Sequence, residues 1–152
     1  MSADTTEKIM RSLFPKIAAE ARWNDEQRYG SKEGLQRRLR EMTDAGIISE
    51  VLDLIEALEM PIEEATPALI TTYEKAAQST EIFSIHRKEQ GDTKLAELDE
   101  RQAQIDRNHA TALRDGTTTI AKELEARAEE RIGSGFPDNF YKTLLSNPVF
   151  PK

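Results

Sequence analysis

The side chains of this sequence that could carry chemistry are few and widely spaced. Two histidines, no cysteine and 28 acidic residues are spread over 152 positions. Asp106-x-x-His109 sets a carboxylate and an imidazole one helical turn apart, a spacing used by carboxylate-bundle metal sites. Such sites need two acid-x-x-His pairs and two further inward acids. His86 is followed by Glu89 in the wrong order, so the expectation is a solvated or seam-facing His109 with no metal and no cofactor. The lack of cysteine excludes disulfides, thiolate catalysis and cysteine-bound metal. No Gly-rich phosphate loop, nucleophile elbow or Ser–His–acid grouping is present, and Gly133-Ser134-Gly135 reads as a flexible turn. No catalytic residue is assigned and a non-enzyme is expected, with a carboxylate-based enzyme as the catalytic alternative.

Charge is more informative. From Lys8 to Arg40 nine Lys/Arg stand against four Asp/Glu, whereas from Glu41 to Glu81 ten acids stand against Lys75 alone. A basic head fused to an acidic middle points to a polyanion or an oppositely charged protein face as partner. Within the acidic stretch, Glu50, Asp53 and Glu56 recur every three residues. They drift around a helix and could bind cations, a basic partner or a neighbouring subunit's basic head. The favoured account is a solvated helix face.

Nearly every segment has helical spacing of apolar residues, so the fold expected is all-α: a helical bundle with one long helix over about 92–132 and a short apolar C-terminal segment. Asp4 and Glu7 resemble a capping box ahead of Ile9, Leu13 and Ile17, with a kink or break at Pro15; residues 24–31 form a loop. Ser31 caps a helix whose inner face carries Leu35, Leu39 and Met42, and Gly46 terminates it. Ser49 opens a short helix bearing Val51, Leu52, Ile55 and Leu58, stopped by Pro61. Thr66-Pro67 starts the next, with Leu69, Ile70, Tyr73, Ala76, Ala77 and Phe83 inside. In the long segment, Leu95, Leu98, Ile105 and Ala112 approximate a heptad seam whose alternate sites are taken by Gln102, His109 and Gly116. The stripe shifts to Leu113, Ile120, Leu124 and Ala128, which fits a bundle or oligomer helix better than an ideal coiled coil. A basic head over 1–60, a helical oligomerisation region over 61–132 and an apolar docking tail over 133–152 follow. A homo-oligomer is expected.

The segment Ser31–Ser49 resembles the recognition-helix region of winged-helix regulators. Ser31, Leu35, Arg37, Arg38, Leu39 and the turn Ala45-Gly46-Ile47-Ile48 carry the likeness, with residues 16–23 as supporting helix. The resemblance implies contact with double-stranded DNA through Lys16, Arg22, Lys32, Gln36, Arg37, Arg38 and Arg40. Residues 49–59 read as helix where that family has a β-hairpin wing; a plain helix-turn-helix remains. The bland alternative is an amphipathic helix with a solvated basic face. The order of basic head, long helices and apolar tail is also similar to viral small terminase subunits, which implies a ring-forming, DNA-packaging role.

The final residues concentrate aromatics. Phe136, Phe140, Tyr141, Leu144 and Phe150 could anchor in a groove on a protein partner, or fold back to cover the long helix. No apolar run approaches the roughly 18–20 residues of a spanning helix, so no membrane contact is expected. Residues 1–8 lack the features of a secretory leader, and a cytoplasmic location (host cytoplasm if viral) is the default. Two functional readings therefore stand: an oligomeric DNA-binding or assembly protein, and a purely protein-binding adaptor, chaperone, structural factor or inhibitor.

Overall fold

The computed structural model describes residues 31–146. They form six helices with no strand: α1 Lys32–Ala45, α2 Ile48–Ala57, α3 Ile62–Glu89, α4 Thr93–Asp115, α5 Ile120–Gly133 and α6 Phe140–Ser146. The all-α class follows from the sequence as expected, and no helix is long and apolar enough to cross a membrane. The expected capping box, the Ile9–Ile17 stripe, the break at Pro15 and the loop over 24–30 lie outside the described residues.

Helix α1 has the expected ends. The Ser31 hydroxyl accepts from Gly34 N at 3.0 Å, and Gly46 closes the helix in the left-handed region (φ 71°). Leu35, Leu39 and Met42 are buried. Glycine at 46 has a second cause: a Cβ there would lie 2.6 Å from the Ala76 nitrogen of α3. The α1–α2 turn therefore rests directly on the backbone of α3. Helix α2 is the hub of the fold. Val51, Leu52, Leu54 and Ile55 are all buried, and α1, α3, α5 and α6 pack around them.

Two boundaries differ from expectation. Helix α3 starts at Ile62, one turn before Thr66-Pro67, because the Pro61 carbonyl accepts from Glu64 N and Ala65 N at 3.0 and 2.9 Å and Ala65 is fully buried. Pro67 sits inside the helix, in its second turn, where it removes the bond an N–H there would make to the Glu63 carbonyl. The expected helix over 92–132 is two helices. Gly116 terminates α4 at φ 75°, the backbone turns through Thr117 and Thr118, and the Thr119 hydroxyl caps α5 by accepting from Lys122 N at 3.3 Å.

Helices α3 and α4 form an antiparallel hairpin. One main core joins residues from Leu35 to Tyr141, and from this hairpin it takes Ala65, Leu69, Tyr73, Ala110 and Leu113 at the base. The outer half, about 76–105, is an arm with a seam of its own.

Candidate functional site

Three surfaces carry the residues singled out by the sequence. The first is the outer face of α1. Lys32, Gln36, Arg37 and Arg40 are exposed there, held by the buried Leu35, Leu39 and Met42. Arg37 and Arg40 form no ion pair among the described residues. Arg38 behaves differently: its Nε donates to the Tyr141 hydroxyl at 3.3 Å and its guanidinium lies 3.7 Å from Glu41. Arg38 thus ties α1 to α6. Lys16 and Arg22 fall outside the described residues. The helix α2, not a hairpin, follows the Gly46 turn, as the apolar spacing of 49–59 implies.

The second surface is the C-terminal segment, and it splits in two. Tyr141 is buried, with Leu144 and Leu145 packed against the core. Phe136 and Phe140 are exposed together with Ile132. Phe150 lies outside the described residues. The inward half is clasped by the acidic row of α2, which corrects the expectation of a solvated face. Asp53 is buried and takes a two-pronged bond from Arg127, each at 3.0 Å. Arg131 donates to Asp53, to Glu56 at 3.2 Å and to the Pro137 carbonyl at 3.3 Å. Asn139 donates to the Asp53 carbonyl at 2.9 Å and to Glu56 at 2.8 Å, while its own side-chain oxygen accepts from Tyr141 N at 3.1 Å. The Tyr141 hydroxyl donates to Glu50. Burial and then the Glu50 carboxylate push that phenol up to about 12. Glu50, Asp53 and Glu56 therefore hold a basic partner, but the partner is this chain's own α5 and α6. The sequence signal was present in Arg127 and Arg131, one turn apart on α5. Nothing in a single sequence pairs them with Asp53.

The third surface is the arm, where the register inverts the expectation. The residues of α4 that face α3 are Ala96, Ala103 and Ala110, seven apart, with Asp106 and Leu113. From α3 come Tyr73, Ala77 and Ser84. Leu95, Leu98 and Ile105, the anticipated seam, are exposed, as is Phe83. Small residues win the interface because they let two backbones approach closely: the Ser84 hydroxyl reaches the Ala96 carbonyl at 3.1 Å. One flank of the arm is a charge ladder in which Glu74, Glu81 and Lys88 pair with Arg114, Arg107 and Glu100. The Arg107 and Lys88 cations hold the Glu81 and Glu100 carboxyls below the ordinary range. The other flank, on the helical face of Leu95, Leu98, Gln102, Ile105 and His109, is mainly apolar, bordered toward the seam by the Arg87–Asp99 pair and toward solvent by the exposed Lys94 and Arg101.

His109 is 43% exposed at its side chain but held in place. Its ring stacks on Tyr73 (centroids 4.7 Å apart, planes 8° from parallel) and its Nδ1 lies 3.0 Å from Glu123. The Tyr73 hydroxyl donates to the other Glu123 oxygen at 2.6 Å. Burial, reinforced by Glu123, raises the Tyr73 phenol. Asp106, next along the same turn, is buried, accepts from Gln102 at 3.2 Å, and is raised by that burial. A phenol, an imidazole and two carboxylates could move protons, but the adjoining hollow, lined by Ile105, Asn108, His109, Ala112, Thr118 and Glu123, is about 270 Å³ and open to solvent. That lies under the usual size of a substrate pocket. What the cluster does is seat α5 on the base of the hairpin. Among the described residues no group of three or more His, Cys, Asp or Glu is arranged to hold a metal. No protein-family model, curated protein or solved structure matches this chain.

Proposed function

We propose that this chain is a non-enzymatic assembly protein that works by docking other macromolecules on exposed surfaces of a rigid helical body. The observation carrying this is the grouping of its exposed apolar side chains. Of the eleven large hydrophobic residues that stand exposed among the described residues, six lie on the arm (Ile82, Phe83, Ile85, Leu95, Leu98 and Ile105) and three at the C-terminal segment (Ile132, Phe136 and Phe140). Singly scattered apolar residues are ordinary on a surface; groups of this size mark interaction sites. The expected docking tail is thereby narrowed to Phe136 and Phe140, since Tyr141 and Leu144 turn inward. Paired substitutions Phe136→Ser/Phe140→Ser and Phe83→Ser/Leu98→Ser test it. At least one pair should lower the sedimenting mass or abolish cross-linked complexes while helicity stays intact. Identical sedimentation and cross-linking for wild type and both pairs would end the docking account.

A second surface supports a polyanion partner. Lys32, Gln36, Arg37 and Arg40 project from a helix fixed by three buried side chains, a geometry suited to phosphates and base edges of double-stranded DNA. With both surfaces active, a regulatory or DNA-packaging role follows. A mobility-shift titration at low and moderate salt checks it. Retention should fall steeply with salt and vanish in Arg37→Ala/Arg40→Ala. Unchanged retention in that variant removes α1 from the interface.

A further inference from the structure

We infer that the apolar flank of the α3–α4 arm binds the same flank of a second copy of this chain, giving a four-helix bundle of two arms. This rests on the docking account above and names the occupant of one of its surfaces. Within one chain the arm is held by Ala77, Ser84, Ala96 and Ala103, plus the half-buried pair Arg87–Asp99 at 3.3 Å. A seam of that size buries little apolar area, and a helix pair in water needs a wider apolar face covered. The larger side chains lie beside the seam. Phe83, Leu95, Leu98 and Ile105 are 41–60% exposed, together presenting roughly 400 Å² of apolar surface, the size at which patches signal an interface.

Three features select a second copy as the occupant. The flank continues an interface already made within the chain: at its base His109 and Glu123 join α4 to α5, then α5 turns away to α2 through Arg127 and Arg131, leaving the stripe open beyond Ile105. The charges around the stripe do not select a strongly acidic or basic partner: Arg87 and Asp99 at its edge pair with each other, and the ladder on the opposite flank is satisfied within the hairpin. Finally, an apolar stripe of Phe, Leu and Ile is complementary to itself, which is what an isologous twofold contact requires. Two such stripes with their polar rims bury roughly 1,000 Å² or more in total, the scale of a specific interface.

The native chain has no cysteine, so single introduced cysteines report the contact directly. Leu98→Cys on the flank should form a disulfide-linked dimer under mild oxidation. Thr111→Cys, exposed on the charged side, should not. Light scattering of the unmodified full chain should give twice its 17.2 kDa mass, and Leu98→Glu should return it to that of one chain with helicity retained. A monomer at hundreds of micromolar overturns the inference. So does a dimer that cross-links through Thr111→Cys but not Leu98→Cys, and so does a monomer whose Leu98→Cys thiol resists maleimide, which would assign the flank to another part of the same chain. Where a dimer forms through another face, loss of complexes in Phe136→Ser/Phe140→Ser still upholds docking at the C-terminal surface, so the two ideas fail separately.

Discussion

Replacing Gly46 by alanine isolates how tightly the α1–α2 turn rests on α3. Gly46, Gly91 and Gly116 share a left-handed backbone, with φ of 71°, 81° and 75°. An L-residue in that conformation costs about 1–2 kcal/mol, so Gly91→Ala and Gly116→Ala, where a new methyl meets nothing within 4 Å, should each lose that much. At Gly46 the methyl would approach Ala76 N to 2.6 Å and the Ala76 Cα and Lys75 carbonyl carbon to 2.9 Å. These are helix backbone atoms, so the turn itself must lift away. Overpacking of this kind adds about 1–3 kcal/mol, and Gly46→Ala should therefore cost about 2–5 kcal/mol in total. Urea unfolding followed by far-ultraviolet circular dichroism measures all three variants, with Gly116→Ala as the main reference because it shares the helix-terminating role. A Gly46→Ala loss equal to that of Gly116→Ala would show that the turn does not press on α3, and the placement of α1 would have to be reconsidered.

Asp53→Ala strands two arginines against α2, and breaking a buried ion pair from one side costs about 3–5 kcal/mol; a loss below about 1 kcal/mol in urea unfolding would show the clasp to be solvated. Arg38→Ala should lower stability by about 1–2 kcal/mol through its bond to Tyr141 and leave polyanion affinity nearly unchanged, whereas Arg37→Ala should do the reverse; paired unfolding and mobility-shift measurements separate them. Burial raises the Asp106 carboxyl above its unfolded value, so the stability this group contributes is present below the unfolded pKa, about 4, and is lost as pH rises through the folded value. Asp106→Asn should accordingly be more stable than the native chain at neutral pH, with the gap closing in acid; a gap independent of pH contradicts that account. Raising salt should weaken the arm's charge ladder only slightly, because its groups are exposed to solvent and already screened, and amide exchange at the arm tip reads this directly.

The helical class, the caps of α1 and the inner faces of α1 and α2 were legible in the sequence because each is set by neighbours within a few residues. Ser31 and Gly46 act on their own helix, and Leu35, Leu39 and Met42 repeat at its period. What escaped depends on which of two stripes wins. Helix α4 carries both a leucine–isoleucine stripe and an alanine stripe one position away. Apolar periodicity favours the larger residues, while the close approach of two backbones selects the smaller. The break at Gly116 was masked by apolar spacing that resumes beyond it. At the candidate sites, the outward placement of Arg37, Arg40 and Phe136 follows from local helical or turn chemistry. The inward turns of Arg38, Asp53 and Tyr141 do not, because their partners lie 74 to 103 residues away.

The clasp between Asp53 and the far end of the chain has a consequence for biosynthesis. Arg127 and Arg131 are translated 74 and 78 residues after the Asp53 carboxylate they neutralise, and Asn139 comes 86 residues after the Asp53 carbonyl it bonds. While the ribosome is still making α4, Asp53 has neither arginine partner, and α2 can pack only through Val51, Leu52, Leu54 and Ile55. The clasp therefore closes only when the last helices emerge.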